Sequence, residues 1–149
     1  MSLAGKTILM SGGSRGIGLA IALRAAADGA NIAMLAKTDT PHPKLEGTIH
    51  TAAEQIRAAG GQALAIVGDV RDDSDITEAV MKTQGEFGGI DIVVNNASVI
   101  DLSRSLDLDP KKYDLMQDVN VRGTFMLSRA AVPMLKDAEN PHILSLSPP

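Results

Sequence analysis

The sequence predicts an α/β fold, a doubly wound parallel sheet of strand order 3-2-1-4-5, and three observations predict it. Short apolar runs recur with little polar alternation, as in strands covered on both faces. Longer stretches with apolar residues at helical spacing separate them, so strand and helix patterns alternate. The first run leads directly into Ser11-Gly12-Gly13-Ser14-Arg15-Gly16-Ile17-Gly18, a turn whose glycines admit an anion to the backbone where a helix begins. Right-handed crossovers leave few arrangements of such units, and this order gathers a ligand at the carboxyl ends of the strands.

Strand one is Thr7 to Met10. Helix one starts near Gly16 and stops at Gly29, a natural C′ residue. Strand two runs from Asn31 to Ala36. Helix two starts at about Thr48, puts Ile49, Ala52, Ala53 and Ile56 on one stripe, and ends before Gly60-Gly61. Strand three is Ala63 to Val67. Helix three spaces Ile76, Val80, Thr83 and Phe87 behind Asp72 or Asp73 as cap, with Gly85 as a weak point. Strand four is Ile90 to Val94. Asp109-Pro110 then forms an N-cap and N1 pair for one long helix to about Lys136, with Leu115, Met116, Val119 and Met126 on its buried face. Strand five is His142 to Leu146. No internal repeat or low-complexity segment interrupts the series.

At 149 residues and 44% hydrophobic content the chain is read as one domain, residues 1–149. It contains no cysteine, which excludes disulfide staples and thiolate metal sites and fits a reducing, cytoplasmic setting. No apolar stretch approaches the roughly 20 residues of a membrane helix, and no targeting segment is visible ahead of the first strand. The net charge of −4, with Lys and Arg scattered, argues against a nucleic-acid partner. His42, His50 and His142 lie in separate elements without metal-ligand spacing, so no metal is expected. The seven methionines read as core filler.

Each strand end carries a polar cluster: the glycine turn, Lys37, Asp69, Asn95-Asn96-Ala97-Ser98, and Ser145 to Pro149. A dinucleotide pyrophosphate fits the first of these, in a Rossmann-type arrangement. An NAD site usually holds an acid about 20 residues after the turn, to bond the ribose 2′-hydroxyl. Lys37 stands there instead, and Arg15 projects from the turn, so two cations favour a 2′-phosphate and NADP over NAD. The loop from Thr38 to Gly47, with Pro41 and Pro43, exceeds the usual 2–6 residues and is long enough to fold over that ribose. A plain surface loop is the alternative.

In the order Gly-x-x-x-Gly-x-Gly, Asp-Val, Asn-Asn-Ala and Asn-Val-x-Gly, the chain resembles the short-chain dehydrogenase/reductase family over its whole length. Ala36-Lys37-Thr38, Pro41 to Leu45 and Ser145 to Pro149 are similar to its hydroxysteroid-dehydrogenase-like branch. The resemblance implies that Asp69 and Val70 meet the adenine, that Asn95-Asn96-Ala97 lies beside the nicotinamide half, and that Asn120 has a supporting catalytic role. The implied cofactor contacts are Gly12, Ser14, Arg15, Gly16, Ile17, Gly18, Lys37, Asp69, Val70, Asn96 and Ala97. It further implies hydride transfer between nicotinamide and a small hydrophobic carbonyl or alcohol, and a homo-oligomer built through the fourth helix.

The family's proton donor is a tyrosine followed four residues later by lysine. The single tyrosine here, Tyr113, precedes Asn120 and has Gln117 at that spacing, so it does not fill the role. The expected Tyr-x-x-x-Lys falls beyond Pro149, and Pro148 aligns with the family's serine, with Ser147 one residue early. Strand five is also expected to present an open apolar edge. The chain is therefore read as the N-terminal part of a longer oxidoreductase. The competing reading is a non-catalytic dinucleotide-binding module or truncated product. A nucleotide-sugar epimerase fits less well, because its Gly-x-x-Gly-x-x-Gly spacing and its acid after strand two are both missing.

Overall fold

A computed structural model describes residues 2–41 and 47–147. Five strands, β1 (Thr7–Ser11), β2 (Asn31–Ala36), β3 (Gln62–Val67), β4 (Ile92–Asn95) and β5 (His142–Ser145), form one sheet of order β3-β2-β1-β4-β5. All four pairings are parallel, with Met10 opposite Met34 on one side and Val94 on the other. Alternate side chains of β1 feed two separate cores. Ile8 and Met10 pack with α1 (Gly16–Ala27) and α2 (Ile49–Ala58), through Ala22, Ala26, Ala52 and Ile56. Leu9 packs with α3 (Asp73–Phe87) and α5 (Thr124–Leu135), through Ile76, Ala79, Leu127 and Ala131. This two-sided covering is why the strands read as continuous apolar runs.

The helix signals act as caps. Thr48 and Thr51 bond each other's backbone N–H groups in a reciprocal box at the start of α2. Asp72 accepts from the N–H groups of Ser74 and Asp75 ahead of α3. Asp109 accepts from Lys111 N–H ahead of Pro110 in α4 (Pro110–Met116). Gly29, at φ +85°, closes α1 in the left-handed region. Gly85 stands inside α3 with open space where a Cβ would be.

Two expectations need correction. Ile90 is buried but lies outside β4, because Asp91 turns its carboxylate onto Thr7 N–H at 2.8 Å and Lys6 Nζ at 3.2 Å before the strand starts. The single long fourth helix is instead two α-helices flanking a π-helical segment, Gln117–Gly123. Its buried residues Val119, Gly123, Leu127, Ala131 and Leu135 follow one another at intervals of four. An α-helix turns once in about 3.6 residues, so a stripe at that interval drifts off one face unless a wider turn absorbs it. Gly123 also brings the π segment against Val70, whose Cγ2 would lie 3.0 Å from an added Cβ.

β5 pairs with β4 and is exposed along its length, Ile143 and Leu144 being about half accessible. Among the described residues no helix is long and apolar enough to cross a membrane.

Candidate functional site

A cleft of about 480 Å³ opens at the carboxyl ends of β1 to β4, where the polar clusters were expected to meet. Gly12, Ser14, Arg15 and Ile17 line it from the first turn, Lys37 and Thr38 from the end of β2, Asp69 and Val70 from β3, and Asn96 and Ala97 from β4. Gly16 and Gly18, expected to face the same ligand, do not line it. Gly18 instead gives close packing, since a Cβ there would collide with the Gly12 carbonyl and the Asn96 side chain. Gly16 has open space where a Cβ would be, and glycine is required there by a left-handed φ of +56°.

The turn is stitched to the loop after β4. Asn96 Nδ2 donates to the Gly12 carbonyl at 2.7 Å, and Ser11 Oγ accepts from the N–H groups of Asn96 and Ala97 at 3.2 and 3.1 Å. Gly12 has φ +73°, and a Cβ on it would lie 2.9 Å from Ala97 Cα. The two loops thus approach more closely than a side chain at position 12 allows.

The first turn of α1 differs from the other helix starts. Its N-cap, Arg15, makes no side-chain capping bond, unlike Thr48, Asp72 and Asp109, so the first amides keep their donors and the positive end of the dipole. Arg15 Nη2 donates to Thr38 Oγ1 at 2.9 Å, while Nη1 is buried with no partner among the described residues. Lys37, expected to supply a cation beside the ribose, is paired with Asp69 Oδ2 at 3.1 Å. Asp69 is gripped more firmly by Arg71, whose Nε and Nη2 reach its two oxygens at 2.6 to 3.1 Å. The Arg71 hydrogen bonds, aided by Lys37 and opposed by partial burial, hold the Asp69 carboxyl well below the usual range. Asp39 is bonded to His50 Nε2 at 2.7 Å and does not line the cleft.

Asn120 lies in the π segment and bonds the backbone of Val99 in the β4 loop. A second hollow, of about 430 Å³, is lined by Tyr113, Gln117, Asn120, Ser145 and Ser147. Asn95 Nδ2 reaches Ser128 and Ser145 across the same end of the sheet. Pro148 and residues 42–46 of the loop after β2, including His42 to Leu45, lie outside the described residues. Among the described residues no group of His, Asp and Glu is arranged to hold a metal.

Sequence reasoning missed Val99 and Arg71, and it placed Ser11 in the glycine turn without its bonds to the loop after β4. Val99 acts at a position no motif marks. Arg71, two residues after Asp69, carries a local signal: an Asp followed at that spacing by an Arg at the entry to a helix can close a fork on itself.

A family model described as short chain dehydrogenase matches residues 6–148. Hydroxysteroid dehydrogenase-like protein 2 of Bos taurus is 58% identical over 147 residues, 99% of this chain and 35% of that protein. The crystal structure of a short chain dehydrogenase from Mycobacterium thermoresistibile superposes with a TM-score of 0.96 at 59% identity, covering 99% of this chain and 53% of its own. The structure of NADH-dependent reductase A1-R′ complexed with NAD matches with a TM-score of 0.82 at 28% identity, covering 96% of this chain and 59% of its own. The chain thus spans about a third of the curated relative and about half of the solved structures.

Proposed function

The chain belongs to the short chain dehydrogenase family, and from that premise we propose that it is the dinucleotide-binding part, residues 1–149, of an NADP(H)-dependent oxidoreductase acting on a small hydrophobic carbonyl or alcohol. The observation that carries the cofactor reading is the buried Arg15 Nη1, which has no hydrogen-bond partner among the described residues. A buried guanidinium nitrogen without an acceptor is costly, and a phosphate oxygen would satisfy it. Lys37 stands on the same cleft, and among the described residues no acid other than Asp69 lines it.

In this reading Gly12, Ser14, Gly16, Ile17 and Gly18 shape the uncapped start of α1 for the pyrophosphate, with Gly16 and Gly18 acting through the backbone and through packing. Arg15 and Lys37 take the 2′-phosphate. Asp69 and Val70 border the adenine, and Asn96 and Ala97 border the nicotinamide half. When bound, the nicotinamide supplies the hydride. Asn120 supports catalysis by holding the β4 loop through Val99. The proton-handling Tyr-x-x-x-Lys is proposed to come from sequence after Pro149, in keeping with the longer relatives.

The exposed apolar residues Val121 and Phe125 supply a face for a homo-oligomer, and the lack of cysteine suits the cytoplasm. Calorimetric titration tests the core of the proposal: NADP+ is expected to bind more tightly than NAD+. Equal affinity overturns the cofactor choice, and binding of neither by folded protein overturns the site.

A further inference from the structure

The cleft wall formed by Lys37, Asp69 and Arg71 poses a problem for the proposed 2′-phosphate site, because Lys37 is already paired with a carboxylate. An anion that must compete with Asp69 for the same ammonium group gains little from it. The geometry contains a solution. Asp69 Oδ1 accepts from Arg71 N–H at 3.0 Å and Nε at 3.1 Å, while Oδ2 accepts from Nε at 2.9 Å and Nη2 at 2.6 Å. Lys37 adds a single contact at 3.1 Å to an oxygen that is already satisfied, and its side chain is 63% exposed. A planar fork of this kind holds a carboxylate with defined geometry, whereas an exposed lysine pair is weak and readily exchanged.

Residue 71 is itself fixed from outside the cleft. Arg122, in the π segment, donates through Nη1 to the Arg71 carbonyl at 2.9 Å and through Nη2 to Asp73 at 2.7 Å. The backbone that carries the fork is thereby tied to the helix beside it, and Arg71 still reaches the cleft wall.

We propose that Arg71 is a positioning residue for cofactor selection: by occupying both oxygens of Asp69, it leaves Lys37 available to a ribose 2′-phosphate. This rests on the NADP(H) reading above and adds to it a residue that need not touch the phosphate. Without Arg71, Asp69 would hold Lys37 as its sole cationic partner among these three side chains and would carry uncompensated negative charge beside the phosphate.

The test measures binding of 2′-phospho-ADP-ribose and ADP-ribose to the intact protein by calorimetry, for the wild type, Arg71→Gln, Arg71→Lys, Asp69→Asn and the double variant Asp69→Asn/Arg71→Gln. The wild type is expected to prefer the 2′-phosphorylated ligand, and Arg71→Gln to reduce that preference roughly tenfold, the scale of a lost hydrogen bond to a charged group. Removing the carboxylate as well is expected to restore the preference, because nothing then captures Lys37. Arg71→Lys, which keeps the charge without the fork, is expected to fall between wild type and Arg71→Gln, and it carries the test should the glutamine variant fail to fold. A wild-type preference that survives unchanged in Arg71→Gln, or in Arg71→Lys where that variant stands in, overturns this inference alone. Failure of the double variant to recover means direct contact between Arg71 and phosphate and also overturns it. A wild type without the preference removes the NADP(H) reading and this inference together.

Discussion

Asn120 holds Val99 by both ends of a single residue: Oδ1 accepts from the Val99 N–H at 2.9 Å and Nδ2 donates to the Val99 carbonyl at 2.8 Å. This is the bonding pattern one strand offers another, made here by a carboxamide, and it ties the π segment to the loop after β4. Asn120→Leu removes both bonds and leaves two partly buried backbone groups unpaired, an expected cost of about 1–3 kcal/mol in urea unfolding. Asn120→Asp keeps an acceptor for the N–H but turns a second oxygen toward the Val99 carbonyl, and is expected to be no more stable than Asn120→Leu. A stability near wild type for both variants would show that the loop is held by other contacts.

The glycines of the first turn separate by mechanism. Gly16 has room for a side chain but a left-handed φ, so Gly16→Val is expected to fold with a loss of roughly 1–2 kcal/mol from backbone strain and to lose dinucleotide affinity. Gly18→Ala drives a methyl group into the Gly12 carbonyl and the Asn96 side chain, so it is expected to perturb the Asn96–Gly12 bond even without ligand. Amide chemical shifts at Gly12 and Ala97 in the two variants check this distinction.

Lys37→Asp places a carboxylate where the ribose 2′-position is proposed to lie, beside Asp69. The preference is expected to reverse from NADP+ to NAD+, with a change of about tenfold or more in the ratio of dissociation constants. Paired titrations with the two nucleotides measure it, and an unaltered ratio would detach Lys37 from cofactor choice.

Asp69 carries a pH signature. Its carboxyl is held below the ordinary value of about 3.9 by Arg71, so near that pH the unfolded chain binds more protons than the folded one. Its contribution is therefore complete above that value and declines as pH falls below it. Asp69→Asn is expected to lose stability relative to wild type at about pH 5 and to narrow the gap at about pH 3, read from urea midpoints. Asp72, also lowered through its bonds to Ser74 and Asp75, leaves a residual slope in the variant.

Much of the fold was legible because its determinants are local. The caps at Thr48, Asp72 and Asp109 and the stop at Gly29 are signalled within a few residues of where they act. The sheet order followed from connection rules once five buried runs were found. The predicted sheet order already set the ends of β2 and β3 side by side, but the pairing of Lys37 with Asp69 was not legible, because it depends on where two side chains point beyond those ends. The same holds for Asn120 and Val99. Charge signs at strand ends locate a site, but only the folded arrangement shows which charges are already spent on each other.

The π segment has a consequence for any change of chain length. Deleting one residue between Gln117 and Gly123 would let the helix relax to regular winding, because a turn closed by i→i+5 bonds holds one residue more than a turn closed by i→i+4 bonds. Leu127, Ala131 and Leu135 would then still face the sheet, and the change would fall on Asn120 inside the segment and on its two bonds to Val99. The extra width of that one segment is what lets a single rod turn Asn120 onto the loop after β4 while its far end stays against the sheet.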